Sequence, residues 1–276
     1  MSFEVINKGK SVDVLYNGRL FTSCVYEGRF IRPYMGPVMA SNGIGFTRSD
    51  EKHEEHPHQR SVFVGIGDIN GVDFWNENHE DIDTQHGRME LVDFREIHAG
   101  ENAAVSANLL WKTYEGLEML DEIRSFRFSE YKKNCIRVDM TVLLKASYMD
   151  IEVGATKEAG PLGIRVADFM RADNGGKFVN SEGGLNEDGC WGKNALWCNY
   201  SAAAEDGKVL GIAAFDRDTN RDYPTAWHIR NYGLMAANNL YFKGGYSLKK
   251  DESVRYDYTI CFWEDSFDAE EFAKTL

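Results

Sequence analysis

Three polar side chains at alternate positions between residues 224 and 239 could form one wall of a ligand site. The stretch PTAWHIRNYGLMAANN carries His228, Arg230 and Tyr232 two residues apart, and in an extended chain such residues point to the same side. Trp227 and Ile229 would then point to the other side. An imidazole, a fixed cation and a phenol on one face suit a small polar ligand, which we predict to be a sugar. Asn238, in the same stretch, is a further candidate contact.

Two histidines and an arginine follow one another in the sequence HPHQR, residues 56 to 60. Proline favours extended geometry in the residue before it, so we expect His56, His58 and Arg60 on one face at the start of a strand. Histidines at this spacing can exchange protons, hold a hydroxyl or chelate a divalent metal, and an exposed loop without function is a further alternative. Further metal ligands could come from His53, Asp68 and His228. Because no linear spacing matches a metal motif, we predict no cofactor, with a metal at His56 and His58 as the alternative.

The segment GDINGVDFW adds Asp68 and Trp75 to the candidate ligand contacts. Its acidic spacing does not fit a calcium-binding loop. Trp75 could pack in the core or offer its ring to the apolar face of a sugar, and core packing is the more common role of a single tryptophan.

Charged residues also flank the apolar segment in KEAGPLGIRVADFMR, residues 157 to 171. Lys157 and Glu158 are candidate ligand contacts that precede a predicted Gly-Pro turn, and Arg165 lies within apolar alternation. A charge in a buried strand is costly unless it is paired. We therefore expect Arg165 to pair with an acid such as Glu158 or to contact the ligand, with the ion pair favoured.

The glycine-rich stretch NSEGGLNEDGCWGKNALWCNY, residues 180 to 200, contains a candidate general base, Glu182. Glycine beside it would let the backbone approach a ligand closely. Trp191, Lys193 and Trp197 suit stacking on a sugar and a contact to a hydroxyl or carboxylate. The alternative is that both indoles are buried against the sheets.

Composition and missing motifs exclude several classes of protein. A net charge of -13 and a pI near 5.0 argue against nucleic-acid or anionic-membrane partners, which need a basic surface. Five scattered cysteines without C-x-x-C spacing are typical of a reducing compartment, and no stretch fits a signal peptide or a membrane span, so we predict a cytoplasmic location. Dinucleotide, P-loop, nucleophile-elbow and zinc-peptidase motifs are missing from the sequence.

Period-two alternation dominates the chain and predicts the elements that must position these residues. It recurs over residues 103–111, 136–142 and 254–262, each predicting a strand with one buried face. Asn17-Gly18 predicts a tight hairpin, residues 87–144 a meander, and AEEFAKTL a C-terminal helix capped by Ser266 or Asp268. We predict an all-β fold of two large packed antiparallel sheets with long loops, in one domain over residues 1–276.

Three stretches together resemble a bacterial family labelled "methane oxygenase PmoA". They are HPHQRSVFVGIGDINGVDFW, then KEAGPLGIRVAD with NSEG and WGKNALWCNYS, then PTAWHIRNYGLMAANN, and the resemblance covers roughly residues 30 to 263. A membrane copper enzyme would need spans that this chain lacks, so the label is not taken as an activity. The resemblance implies a β-supersandwich related to the galactose mutarotases and a role in sugar catabolism.

Mutarotase-like enzymes use histidines and a carboxylate to move protons on sugar oxygens. By residue type, the resemblance implies His58 and His228 as acid or hydroxyl-binding groups and Glu182 as the base. Glu264, in CFWED, is the rival for the base.

The sequence therefore predicts a carbohydrate-active enzyme that uses general acid/base chemistry for hydrolysis, elimination or epimerisation. A keto-sugar glycoside is one substrate that acid/base groups alone can cleave. Arg60, Lys193 and Arg230 would hold an anionic or oxidised group. The alternatives are a non-catalytic carbohydrate-binding protein and a metal-dependent lyase or hydrolase; the oligomeric state is left open.

Overall fold

The chain is built mostly of β-strands in a computed structural model that describes residues 2–48, 55–77 and 86–276. The strands are β1 (Phe3–Asn7), β2 (Ser11–Tyr16), β3 (Arg19–Val25), β4 (Tyr34–Met35), β5 (Val62–Ile66), β6 (Arg88–His98), β7 (Ala103–Lys112), β8 (Glu118–Lys132), β9 (Cys135–Lys145), β10 (Ile151–Val153), β11 (Ala159–Arg165), β12 (Lys177–Asn180), β13 (Trp197–Ala203), β14 (Val209–Asp216), β15 (Trp227–Ile229), β16 (Leu234–Ala237), β17 (Tyr246–Leu248) and β18 (Ser253–Glu264). The α-helices are α1 (Asn186–Cys190), α2 (Asn239–Lys243) and α3 (Ala269–Ala273), and 3-10 turns lie at Asp168–Met170 and Ala172–Asn174.

Two large antiparallel sheets contain most of these strands. The first sheet has the order β1-β2-β3-β4-β5-β11-β16-β15, and the second has the order β12-β13-β14-β18-β9-β8-β7-β6. Strands β10 and β17 form a small separate pair. This architecture confirms the predicted all-β fold with two large sheets, while the single domain stays a prediction.

The alternating segments form the long strands that they predict. Residues 103–111, 136–142 and 254–262 lie in β7, β9 and β18, and β6 to β9 form the predicted meander. Asn17 and Gly18 connect β2 to β3 with φ angles of 50° and 75°, the left-handed values that a two-residue hairpin turn requires.

The main core lies between the two sheets. In β5, Val62, Val64 and Ile66 face this core. From the facing sheets, Phe21 of β3 and Phe262 of β18 meet edge to face, with ring centroids 5.9 Å apart. Side chains at intervening positions of the first sheet therefore point to its outer face, away from the second sheet.

The described residues include three short α-helices among the strands. Asp268 caps α3 by accepting from the Glu271 N–H at 2.9 Å, which confirms one of the two predicted caps. Helices α1 and α2 were not expected, because five residues each are too few to show helical periodicity. In the described part of the chain, no helix is long and apolar enough to cross a membrane.

Two local predictions were wrong. The HPHQR segment is a turn and not the start of a strand, because His56 has a left-handed φ of 51° and β5 begins only at Val62. Gly160-Pro161 does not form the predicted turn. It lies inside β11, where the pairing with β5 shifts register.

Candidate active site

A cleft of about 320 Å³ opens on the outer face of the first sheet. In β15, Trp227 and Ile229 enter the core, so His228 between them points to the outer face as predicted. The cleft is lined by His56, His58, Gln59, Trp75, Asn76, Lys157, Glu158, His228, Arg230, Tyr232 and Leu234. The structure thus brings residues of three predicted segments together in one place.

Two glycines leave room for aromatic rings beside the cleft. A Cβ on Gly163 would lie 2.7 Å from the Phe63 ring, and one on Gly65 would lie 3.0 Å from the Trp75 ring. The two rings meet edge to face at 5.3 Å. Trp75 is only 2% exposed, so it is mainly a packing residue that presents a small part of its surface to the cleft.

His228 is buried in a neutral form. Its Nδ1 lies 3.1 Å from the Lys157 carbonyl oxygen, and because a carbonyl can only accept, Nδ1 carries the proton. Nε2 is therefore a lone-pair acceptor, and it has no hydrogen-bond partner within the described residues. Burial lowers the pKa of His228 to about 4, with Arg230 and Lys157 acting in the same direction.

Asn238 positions this histidine and does not line the cleft, contrary to its predicted role. Its side-chain amide donates to the Lys157 carbonyl at 2.7 Å. Its amide oxygen accepts from the Tyr241 N–H at 3.0 Å and caps α2. The side chain is completely buried, so no ligand can reach it.

Among the described residues that line the cleft, the acidic one is Glu158. Its backbone carbonyl accepts from the Gly67 N–H at 2.7 Å, and a Cβ on Gly67 would lie 2.6 Å from that oxygen. The Thr156 hydroxyl donates to its side chain at 3.3 Å. Within the described residues Glu158 has no ion pair, so its carboxylate is available to a ligand.

The structure does not bring Glu182 into the cleft. Residues 181 and 182 form a turn in which the Asn180 side chain accepts from the Glu182 N–H at 3.1 Å. The exposed Glu182 carboxylate accepts from the Ser181 hydroxyl at 3.0 Å. The turn directs this side chain to solvent, which corrects its predicted place as the base of this cleft.

Glu264 lies in a different cavity. This cavity, of about 420 Å³, lies between the β2–β3 and β8–β9 hairpins, and none of its described lining residues is a histidine. Glu264 accepts from the Ser41 hydroxyl and from Lys208, both at 2.6 Å. Burial acts to raise the pKa of Glu264, but these hydrogen bonds outweigh it and hold the pKa below its usual value. Glu264 is therefore separated from the histidines that line the cleft.

His56 and His58 lie on the same wall of the cleft. The His56 ring stacks on Tyr232 at 4.8 Å with an angle of 5°, and it meets His58 edge to face at 5.8 Å. Burial and the nearby Arg32 lower the pKa of His58 to about 3, and burial together with Arg165 lowers the pKa of His56. Both rings are therefore neutral at neutral pH and able to bind hydroxyl groups.

Arg32 supports this wall and was missed from the sequence. Its buried guanidinium donates to the backbone carbonyls of Phe74, Trp75 and His58. Burial lowers the pKa of Arg32 to about 10. The visible signal was a single charge inside the apolar stretch FIRPYMGPVM.

Arg230 is held by Glu187, a second residue that sequence reasoning missed. The Arg230 Nε lies 2.8 Å from Glu187 Oε1, and the other oxygen of Glu187 accepts from the Asn231 N–H at 2.9 Å. The Tyr200 hydroxyl donates to the Arg230 carbonyl at 2.7 Å. These contacts fix the cationic side chain at the edge of the cleft.

Arg165 lies beneath Tyr232 and pairs with an acid, as predicted, but that acid is Glu55 and not Glu158. It donates to Gln59 Oε1 at 2.9 Å, and its Nη2 lies 3.8 Å from Glu55. Its guanidinium carbon lies 4.7 Å from the Tyr232 ring centre. Glu158 directly precedes β11 and Arg165 is its last residue, so the two lie roughly 20 Å apart along an extended chain, which prevents an ion pair.

Two other predicted ligand contacts have structural roles. Arg60 forms a buried ion pair with Glu77, and both side chains are 3% exposed. Asp68 accepts from the Gly71 N–H at 2.9 Å and closes a turn. Neither residue lines the cleft.

The predicted contacts from residues 191 to 197 also lie outside the cleft. Trp197 is 8% exposed and packs on Phe215 in a second core cluster, because β13 turns it away from solvent. Trp191 and Lys193 are exposed. They lie beyond β15, where the Lys193 carbonyl accepts from the Trp227 N–H at 3.2 Å.

No group of three or more His, Cys, Asp or Glu side chains in residues 2–48, 55–77 and 86–276 could hold a metal ion. His53, a candidate ligand, lies outside these residues. The expectation of no cofactor stays a prediction.

A model of a family described as "Family of unknown function (DUF6807)" matches residues 11–276. The match carries no methane oxygenase label, so that label stays a resemblance. No curated protein matches the chain.

Several solved structures align along most of the chain at low similarity. A galactose mutarotase related enzyme from Lactobacillus acidophilus covers 96% of this chain and 99% of its own, with 10% identity and a TM-score of 0.36. An aldose epimerase homologue from C. elegans covers 97% and 100%, with 10% identity and a TM-score of 0.36. A heparinase III covers 98% of this chain and 35% of its own, with 11% identity and a TM-score of 0.36. At this level the alignments carry no argument about substrate or reaction.

Proposed function

The chain belongs to DUF6807, a family of unknown function, and we propose from its cleft that it is an enzyme acting on a small carbohydrate by general acid/base chemistry. One observation carries the proposal: Glu158, which has no ion pair within the described residues, lines the same cleft as His228, whose buried Nε2 has no hydrogen-bond partner among those residues. Lys157 and Arg230 line the same cleft. A base, a neutral imidazole and two cations are groups that can support proton transfer on a sugar.

Glu158 is the base in this proposal. A carboxylate can take a proton from a sugar carbon or hydroxyl and return it to a leaving oxygen. His228 offers only a lone pair at Nε2, so it accepts a hydrogen bond from a substrate hydroxyl and orients the ring. His56 and His58, both neutral, bind further hydroxyls.

Elimination from a keto-sugar glycoside uses all of these groups. Glu158 takes the proton from the carbon beside the keto group, and the electron pair moves onto the keto oxygen, where Lys157 and Arg230 stabilise the negative charge. The enolate then re-forms its carbonyl, a carbon–carbon double bond forms, and the bond to the glycosidic oxygen breaks. The leaving oxygen takes the proton from Glu158, so the step needs no oxidant or other co-reactant.

Exchange of single residues tests this assignment. The variants Glu158→Gln and His228→Gln are assayed on methyl glucosides, glucosyl disaccharides and their keto derivatives. We expect Glu158→Gln to lower kcat by about 10²- to 10⁴-fold, the range for loss of a positioned acid/base group. Glu182→Gln, an exposed carboxylate outside the cleft, is the matched control and should keep wild-type kcat.

Two outcomes would contradict the proposal. Full activity of both cleft variants would remove Glu158 and His228 from the chemistry. Calorimetric binding of an unaltered sugar, with no turnover of any compound in the panel, would instead identify a carbohydrate-binding protein.

A further inference from the structure

Three aromatic side chains form a partly exposed surface beside the cleft, which we call the aromatic shelf. Trp191 meets Phe242 edge to face at 5.2 Å, and Tyr241 meets Phe242 in the same way at 5.0 Å. Trp191 is 37% exposed and Tyr241 is 44% exposed. The cluster therefore keeps a substantial apolar area in contact with water.

Helix α1 connects the shelf to the cleft. The Trp191 N–H donates to the Glu187 carbonyl at 2.9 Å, which continues the helical bonding and places the two side chains on one helix face. The Glu187 carboxylate holds Arg230, a residue of the cleft. Trp191 thus stands next to the Arg230 side of the cleft.

A second connection runs through Gly192. Its N–H donates at 2.8 Å to the carbonyl of Trp227, the residue before His228. A Cβ on Gly192 would lie 2.8 Å from the Phe242 ring, so the missing side chain lets Phe242 pack beside the strand that carries His228. The shelf and the cleft therefore share one edge of the first sheet.

We propose that the aromatic shelf binds the second sugar ring of a glycoside whose first ring lies in the cleft. The inference rests on the proposed function. The cleft, at about 320 Å³, is at the small end of ligand pockets, which span roughly 300–1,000 Å³, so a longer glycoside must extend out of it. The apolar face of a pyranose stacks on an indole, and the exposed Lys193 ammonium offers a donor to its hydroxyls.

Fluorescence tests the shelf without requiring turnover. The chain has six tryptophans, and Trp191 is the exposed one because the other five are at most 8% exposed. Quenching of the wild-type protein by acrylamide therefore reports mainly on Trp191. We expect a disaccharide among maltose, cellobiose and lactose to protect the emission from quenching, and methyl glucoside to leave it unprotected; Trp191→Phe should lose this protection signal.

Kinetics provide the second measurement. Trp191→Ala should raise KM for the disaccharide or its keto derivative by about two- to tenfold, the loss expected for one aromatic contact. The same variant should leave KM for the methyl glycoside unchanged, and Trp191→Phe should recover most of the loss. Tyr114→Ala removes an aromatic side chain of similar exposure (40%) in the β7–β8 connection and should change neither value.

The quenching and kinetic results distinguish failure of the shelf proposal from failure of the proposed function. Protection by none of the three disaccharides, or equal protection by methyl glucoside, overturns the shelf. An equal rise in KM for both substrates overturns it as well. Loss of the proposed function would appear differently, as no turnover of any sugar by the wild-type protein.

Discussion

The ring of His228 and the backbone carbonyl of Lys157 are joined by a hydrogen bond of 3.1 Å. The same carbonyl accepts from the amide of Asn238 at 2.7 Å. One peptide oxygen therefore sets the tautomer of the histidine, while a buried amide holds that oxygen in place. Because Nδ1 donates to this carbonyl, Nε2 keeps its lone pair.

Replacement of Asn238 by alanine should weaken both the fold and the site. The change removes the amide donor to the Lys157 carbonyl and the cap of α2, so we expect a loss of about 2–3 kcal/mol in the free energy of unfolding. Urea denaturation measures it, and turnover should fall with the altered position of His228. Asn102→Ala, at an exposed position in the β6–β7 connection, is the control; equal stability of the two variants would contradict the role of Asn238.

The spacing of His228, Arg230 and Tyr232 predicted one wall of the site, and all three line the cleft. Strand alternation explains only His228, because β15 ends at Ile229 and Tyr232 lies in the turn before β16. The strands of the meander and the β2–β3 hairpin follow from the same local rules.

The acid/base partner depended on contacts that are distant in the sequence. Glu158 lines the cleft because its backbone carbonyl accepts a hydrogen bond from Gly67, a residue distant in the sequence. Glu182 points to solvent because the Asn180 side chain closes a local turn. Neither hydrogen bond leaves a periodic pattern of residues in the sequence. Sequence reasoning therefore named Glu158 as a ligand contact and as one acid that could pair with Arg165, but it assigned the role of base to Glu182.

We expect the free energy of unfolding to decrease at acidic pH because His228 is buried in its neutral form. Its pKa is about 4 in the folded protein and about 6.5 in an unfolded chain. Between these values the unfolded chain binds a proton that the folded protein does not, so stability decreases as pH falls from about 6.5 to 4, by up to about 1.4 kcal/mol per pH unit. Above pH 6.5 this contribution is constant.

Urea midpoints from pH 4 to 8 measure this dependence. His228→Gln should show a shallower fall in stability below pH 6.5 than the wild-type protein. His98→Gln, which changes an exposed histidine of β6, should follow the wild-type curve. A His228→Gln curve parallel to wild type over the whole range would show that burial of this ring does not set the pH dependence.

Glu187 should control the cleft through Arg230. Glu187→Gln removes the carboxylate that lies 2.8 Å from the Arg230 Nε, so the guanidinium loses its fixed position. We expect kcat/KM to fall about tenfold, equivalent to roughly 1.4 kcal/mol of transition-state stabilisation. Asp188→Asn changes the exposed neighbour on the same helix and should keep wild-type kcat/KM; an equal effect of both changes would indicate loss of helix charge and not loss of the contact.

Gly163 packs against the Phe63 ring, and we expect any side chain at this position to lower the stability of the fold. In Gly163→Ala the new methyl group would lie 2.7 Å from the Phe63 ring, and because that ring is 1% exposed and packs on Trp75, it has little room to move. Overpacking of this kind costs about 1–3 kcal/mol, which thermal or urea denaturation would detect, and the displaced rings should also raise KM. Gly28→Ala is the matched control, since a Cβ there meets no atom within 4 Å. Equal stability of Gly163→Ala and Gly28→Ala would show that the Phe63 and Trp75 rings can move to accept the methyl group. Gly163 would then not be required for their packing.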